Sequence, residues 1–209
     1  MELLYRDRWL AVAVKPAGVL SEESEGEADT MPAFLSRRLA EEGMDGVKIY
    51  PVHRLDRGTE GIMVYALTEQ SAAALSRAVA ERRVEKQYVA RVHGILEERQ
   101  GEWRDLLFYD RHRNKSFPVR RMRKGVKEAV LSYEVTKILE AEACSAVRVI
   151  LRTGRTHQIR VQFASRGYPL VGDRAYGAPA DDPKELALRS VGLAFEHPVT
   201  GEWLSFEIQ

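Results

Sequence analysis

The longest stretch of apolar side chains near the start, Trp9-Leu10-Ala11-Val12-Ala13-Val14, predicts a buried strand over 9–14. Lys15-Pro16-Ala17-Gly18 stops it, because Pro and Gly break regular structure. Thr30-Met31-Pro32 opens a helix, with Pro in the first turn and Phe34, Leu35 and Leu39 as its apolar stripe. Residues 62–67 form a second apolar strand, and Ala72, Leu75 and Val79 predict a helix over 69–82. Strand patterns follow at 87–93, ended by Gly94, and at 129–138 and 146–151. Thr156 is the expected N-cap of a helix over 157–166, with Gly167 as its stop. The last stretch, 191–208, has strand character broken by the turn-like His197-Pro198-Val199-Thr200-Gly201.

Strands and helices alternate without a βαβ rhythm. The pattern therefore predicts an α+β fold with a mixed, largely antiparallel central sheet flanked by helices. Nothing in it marks a repeat, a linker or a domain boundary, so residues 1–209 read as a single catalytic unit, a length that suits one large domain or two small lobes sharing a core.

Composition narrows the class. Apolar residues make up 44% of the chain and charged residues 30%, as in an ordinary globular protein. No apolar run reaches the roughly 18–20 residues of a membrane span. The start, Met1-Glu2-Leu3-Leu4-Tyr5-Arg6-Asp7, has an acid where a signal peptide needs a base, so a cytoplasmic protein with no membrane partner is expected. The single cysteine, Cys144, excludes an internal disulfide and a Cys-rich zinc site.

Net charge is only +1, but its distribution is uneven. Residues 21–29 carry five acids and no base, and residues 111–127 carry eight Lys/Arg and no acid. The basic stretch, with Phe117 interleaved and Arg120, Arg121, Arg123 and Lys124 near its end, fits either a phosphate-tracking surface or a solvated loop.

Neither a dinucleotide-binding Gly-x-Gly-x-x-Gly after a strand, nor a phosphate-binding loop, nor a serine-nucleophile elbow is present. His53, His93, His112, His157 and His197 include no i, i+4 pair of the zinc type. No cofactor and no metal are expected. Two polar clusters remain, each at a junction between a loop and a regular element: residues 53–61, His-Arg-Leu-Asp-Arg-Gly-Thr-Glu-Gly, and residues 152–160, Arg-Thr-Gly-Arg-Thr-His-Gln-Ile-Arg. Taken alone, Asp56 fits a turn residue and Arg160 an exposed helical arginine as well as they fit a site. The residues by themselves reach a polar site with a carboxylate and several arginines, RNA being one candidate partner.

Val52-His53-Arg54-Leu55-Asp56-Arg57-Gly58-Thr59-Glu60-Gly61 resembles the His-Arg-Leu-Asp-x-x-Thr-Ser-Gly signature of the RluA family of RNA pseudouridine synthases. Four further segments agree in chain order: Lys15-Pro16-Ala17-Gly18, Lys86-Gln87-Tyr88-Val89-Ala90, the run Arg152 to Val161, and Tyr168-Pro169-Leu170-Val171-Gly172-Asp173 with Tyr176-Gly177. Five motifs in order, from about residue 3 to the C-terminus, are specific. Glu60 replaces the usual Ser, and Gln162 stands where many relatives have His. The chain starts directly in the catalytic domain, so no separate N-terminal RNA-binding domain is expected.

The resemblance implies the pseudouridine synthase fold, with a central catalytic cleft, and an isomerase that needs no cofactor. It implies that Asp56 is the catalytic aspartate, that Arg160 pairs with it, and that Tyr88 stacks on the uracil and takes part at carbon 5. Arg54 matches a position that fills the space left by a flipped-out base. His53 is expected to shape the loop, while Lys86, Arg155 and His157 are candidates for phosphate contact or pocket support. The expected partner is ribosomal or transfer RNA, with no DNA, and monomer is the default state. Two other classes stand beside this one: a catalytically silent RNA-binding module on the same fold, and a carboxylate-dependent glycoside hydrolase, which would need a second carboxylate, for which Glu60 is the nearby candidate.

Overall fold

The computed structural model describes residues 2–209. In chain order the elements are β1 (Glu2–Arg6), β2 (Leu10–Lys15), α1 (Met31–Ala40), β3 (Tyr50–Pro51), β4 (Glu60–Ala66), α2 (Glu69–Ala80), β5 (Glu85–His93), β6 (Gln100–Asp110), β7 (Lys115–Val119), β8 (Val126–Leu139), β9 (Cys144–Leu151), α3 (Gln158–Ala164), β10 (Leu188–Glu196) and β11 (Trp203–Glu207). Single-turn 3-10 helices lie at Glu140–Glu142 and Arg174–Tyr176. Every strand pairing with a described register is antiparallel, as a pattern without a βαβ rhythm predicts. No helix among the described residues is long and apolar enough to cross a membrane.

The chain divides into two compact units. The first holds the residues up to Glu85 together with Ser190–Gln209, and the second holds Lys86–Arg189. In the first, strand order is β1-β2-β4-β10, with β11 on β10 and β3 on β4. All six residues of β2 are buried, which is why its sequence is continuously apolar up to Lys15. Leu10, Val12, Ile62, Val64 and Phe195 pack there with Leu75 and Ala78 of α2. Each large apolar side chain so buried contributes roughly 1.5–3 kcal/mol. A capping box starts α2: the Thr68 hydroxyl accepts the Ser71 N–H, and Ser71 Oγ accepts the Thr68 N–H.

In the second unit the order is β5-β9-β8-β6-β7. Val161 of α3 packs with Leu107 and Ala129, with the Tyr176 ring against them. Here the sequence pattern missed structure. The apolar pattern gives no signal for strand β6, and β7 falls inside the basic stretch 111–127, whose charges obscure its alternation. Thr156 is not the N-cap of α3. His157 takes that place with φ +55 and makes no capping hydrogen bond. The turn is tied instead by Gln158, whose Oε1 accepts from the Arg155 N–H at 3.0 Å and from Thr153 Oγ1 at 2.8 Å.

Candidate active site

The loop leading into β4 carries the first polar cluster, and it is held through its backbone. Ser21 Oγ donates to the Leu55 carbonyl at 2.8 Å and accepts the Leu55 N–H at 3.0 Å. The Lys15 ammonium has no exposed surface and donates to three carbonyls: Val19 at 2.7 Å, Pro16 at 3.0 Å and Arg57 at 3.1 Å. All three of its protons are therefore used. Burial pushes Lys15 down to about 8, and the negative charges of Asp56 and Glu60 oppose that shift. The Arg57 carbonyl also accepts the Gly18 N–H at 2.8 Å. Leu55 and Arg57, the neighbours of Asp56, are thus both fixed, while Asp56 itself is only half-buried.

His53 Nε2 accepts the Val64 N–H at 3.1 Å, which places the ring's proton on Nδ1 and joins the loop to β4. The loop closes with Thr59 N–H donating to the Asp56 carbonyl at 3.0 Å. At Gly61, φ is +133 and a Cβ would lie 2.1 Å from the Ser190 carbonyl oxygen, so only glycine fits. The acidic segment 21–29 supplies counter-charges: Arg54 meets Glu22 at 2.6 Å, and Arg57 meets Glu27 at 3.1 Å.

The second cluster lies between β9 and α3 and is held by side chains. Thr153 Oγ1 accepts the Val130 N–H at 2.8 Å, and Gln158 Nε2 donates to the Val130 carbonyl at 3.1 Å. Arg155 Nε donates to the Glu128 carbonyl at 2.8 Å. Arg160 grips Asp173 at two points, Nε to Oδ2 at 2.7 Å and Nη2 to Oδ1 at 2.8 Å. The Tyr176 ring lies 5.0 Å from the Arg160 guanidinium carbon. The Tyr176 hydroxyl accepts the Ser116 N–H at 2.8 Å and sits 3.0 Å from His157 Nδ1.

Tyr88 is buried on β5, opposite Val149 of β9. Strand alternation puts Lys86 on the same face of β5. Burial pushes Lys86 down to about 8, and a Cβ built on Gly154 would lie 3.8 Å from its ammonium nitrogen. Lys86 therefore stands beside the second cluster. Arg120, Arg121, Arg123 and Lys124 are exposed in the connection from β7 to β8, where Arg123 lies over the Phe108 ring at 5.4 Å.

Asp56, Arg54 and His53 thus belong to the first unit. Tyr88, Lys86, Arg155, His157, Arg160 and the basic connection belong to the second. Sequence reasoning assigned no role to Ser21, Asp173 or Tyr176, and none to Lys15 beyond its motif. Asp173 and Tyr176 lie within a quoted motif, but an ion pair spanning 13 residues leaves no periodicity to read.

The description "RNA pseudouridylate synthase" belongs to a family model that matches residues 10–165. An uncharacterized RNA pseudouridine synthase of Aquifex aeolicus (strain VF5) is 36% identical over all of this chain and 69% of its own length. The dual-specificity RNA pseudouridine synthase RluA of Escherichia coli (strain K12) is 35% identical over 98% of this chain and 91% of its own length. Among solved structures, human RNA Pseudouridylate Synthase Domain Containing 1 is similar with a TM-score of 0.79 at 24% identity, covering 100% of this chain and 82% of that one. That last likeness is one of fold.

Proposed function

The chain belongs to the RluA family of RNA pseudouridine synthases, a family of isomerases, and from that premise we propose that it converts specific uridines in structured ribosomal or transfer RNA with Asp56 as nucleophile. The observation that carries the assignment is the loop around Asp56. Its two chain neighbours are clamped through the backbone, while its carboxylate is left half-buried beside the Lys15 charge. A rigid main chain with an accessible carboxylate suits a group that must meet a substrate atom in a fixed direction.

The reaction breaks the bond between uracil nitrogen 1 and the ribose, turns the base and rejoins it through carbon 5. The proton on carbon 5 is lost and nitrogen 1 gains one, so no atom or electron is exchanged overall. A carboxylate nucleophile needs no separate base to activate it. Three routes suit it: addition to the anomeric carbon, addition to the uracil ring, and removal of a ribose proton. In this reading Arg160 holds the Asp56 charge, a role suited to a guanidinium's fixed donor geometry. The Tyr88 ring stacks on the uracil, and its hydroxyl takes part at carbon 5.

The target base must leave its stack, at a cost on the order of a few kcal/mol. Arg54 fills the vacated space. Its exposed pair with Glu22 is worth about 0–1 kcal/mol and is easily exchanged for RNA. His53 keeps the loop in shape. Lys86, Arg155 and His157 support the base and its phosphates, and Arg120, Arg121 and Arg123 meet the RNA backbone further out.

Asp56→Asn tests the assignment. It is expected to abolish pseudouridine formation in total RNA from cells lacking the gene, while RNA affinity stays within about twofold. An active Asp56→Asn protein removes the nucleophile. Mapping pseudouridines in cells with and without the gene identifies the RNA and the position.

A further inference from the structure

The surroundings of Arg160 are more constrained than charge neutralisation requires. Asp173 is almost wholly buried, with a side chain 1% exposed, against 12% for Arg160. Its two oxygens take the Nε–Nη2 edge of the guanidinium, so both in-plane directions of that group are set. Its face is set as well, by the Tyr176 ring at 5.0 Å. That ring is fixed in turn through its hydroxyl, which accepts the Ser116 N–H.

The turn that carries Asp173 is equally determined. The Tyr176 N–H donates to the Asp173 carbonyl at 2.9 Å, and the Ala178 N–H does so at 3.1 Å. Just before it, the Gly172 N–H donates to Asp182 Oδ2 at 2.7 Å. Gly172 has φ +81, and a Cβ there would lie 2.0 Å from the Glu185 carbonyl oxygen. At the helix end, His157 holds a left-handed backbone that a side-chain residue seldom adopts. A buried carboxylate needs one cation nearby. It does not need that cation held by edge and face on a pinned turn.

We propose that Asp173 is a positioning residue for uridine isomerisation, fixing the guanidinium of Arg160 in the single orientation its role requires. The inference rests on the reading that Arg160 acts in the reaction. Displacing a reacting group by about 1 Å can slow chemistry on the order of a hundredfold, which is the scale on which such positioning matters.

The test compares Asp173→Asn and Asp173→Glu with the parent chain in single-turnover pseudouridine formation, using total RNA from cells lacking the gene. Melting and RNA affinity are measured on the same samples. Asp173→Asn removes the charge. Asp173→Glu keeps it but lengthens the arm by one methylene and shifts the guanidinium. Both are expected to slow the chemical step about tenfold or more, with RNA affinity within about twofold. If the Asn protein does not fold, the Glu protein decides. A parental rate in Asp173→Glu means that charge alone suffices and overturns the proposal. The Arg160 Nε–H signal in nitrogen-15 NMR provides a readout without activity: it is expected to be protected from exchange in the parent and to lose protection in Asp173→Glu. An unchanged signal also overturns the proposal. If the unaltered protein forms no pseudouridine in that RNA, the isomerase reading falls and the proposal with it. A parental rate in Asp173→Glu removes the proposal alone.

Discussion

Arg54 meets Glu22 at 2.6 Å, and Arg160 meets Asp173 at 2.7 Å, yet the first pair lies in solvent and the second is buried. Side-chain exposure is 68% and 46% in the first pair, and 12% and 1% in the second, and this decides what each can do. Water competes for the first pair and salt screens it, so Arg54 exchanges partners readily. The second pair has left water, and each member depends on the other. The two clusters differ in the same sense. The Asp56 loop is clamped through carbonyls and N–H groups by Lys15 and Ser21, with Leu55 and Thr59 buried and Asp56 half-buried. The loop before α3 is woven together by the side chains of Thr153, Gln158 and Arg155.

Removing one cation from each pair should separate them most widely. Arg160→Met leaves Asp173 buried without its two-point partner and is expected to lower unfolding free energy by about 3–5 kcal/mol. Arg54→Met is expected to change it by less than about 1 kcal/mol. Urea unfolding of the two variants at pH 7 measures both. Equal losses would erase the distinction between the pairs.

The contrast was only half legible in the sequence. The apolar runs gave β2 and β4 because both strands are buried on both faces and so carry no polar interruption. The capping residue Thr30 and the stripe of α1 were readable because they act within one turn. By contrast β6, whose burial is patchy, escaped, and His157 displaced Thr156 as cap because Gln158, further along the chain, reaches back to tie the turn. Asp56 and Arg160 could be named because they lie in recognisable motifs. Asp173 and Lys15 lie in such motifs too, but their contacts, like those of Ser21, could not be read, since each joins segments that only folding brings together.

A smaller effect tests two lysines whose charge burial disfavours, the buried Lys15 and the half-buried Lys86, one beside each cluster. Burial pushes Lys15 and Lys86 from 10.5 to about 8. Between those values the unfolded chain keeps a proton that the folded chain has released. Stability therefore rises with pH from about 8 to about 10.5, by at most about 3–4 kcal/mol for each lysine. Below about 8 both states are protonated and the slope disappears. For Lys86 burial alone is the cause, whereas Lys15 also feels Asp56 and Glu60 and spends its protons on three carbonyls. Lys86→Met is accordingly expected to remove its share of the alkaline rise and to raise stability at pH 7. Urea titrations at several pH values check this, and an unaltered slope would exclude Lys86 as a source.

The smallest expected change is at Glu22, and it bears most directly on why the first pair is exposed. Glu22→Gln removes the charge that Arg54 meets but keeps the side chain's length. Stability should move by less than about 1 kcal/mol, because an exposed pair gains little over hydration. RNA is a different matter. Phosphates compete with Glu22 for the same guanidinium, so neutralising the acid should tighten binding by about two- to threefold at low salt. The gain should shrink between about 50 and about 200 mM salt, where screening weakens both the pair and its competitor. Anisotropy of a labelled transfer RNA transcript at the two salt concentrations reads the change. Binding that weakens instead would make Glu22 part of the architecture that holds Arg54 in place, and the two ion pairs would then differ in exposure but not in purpose.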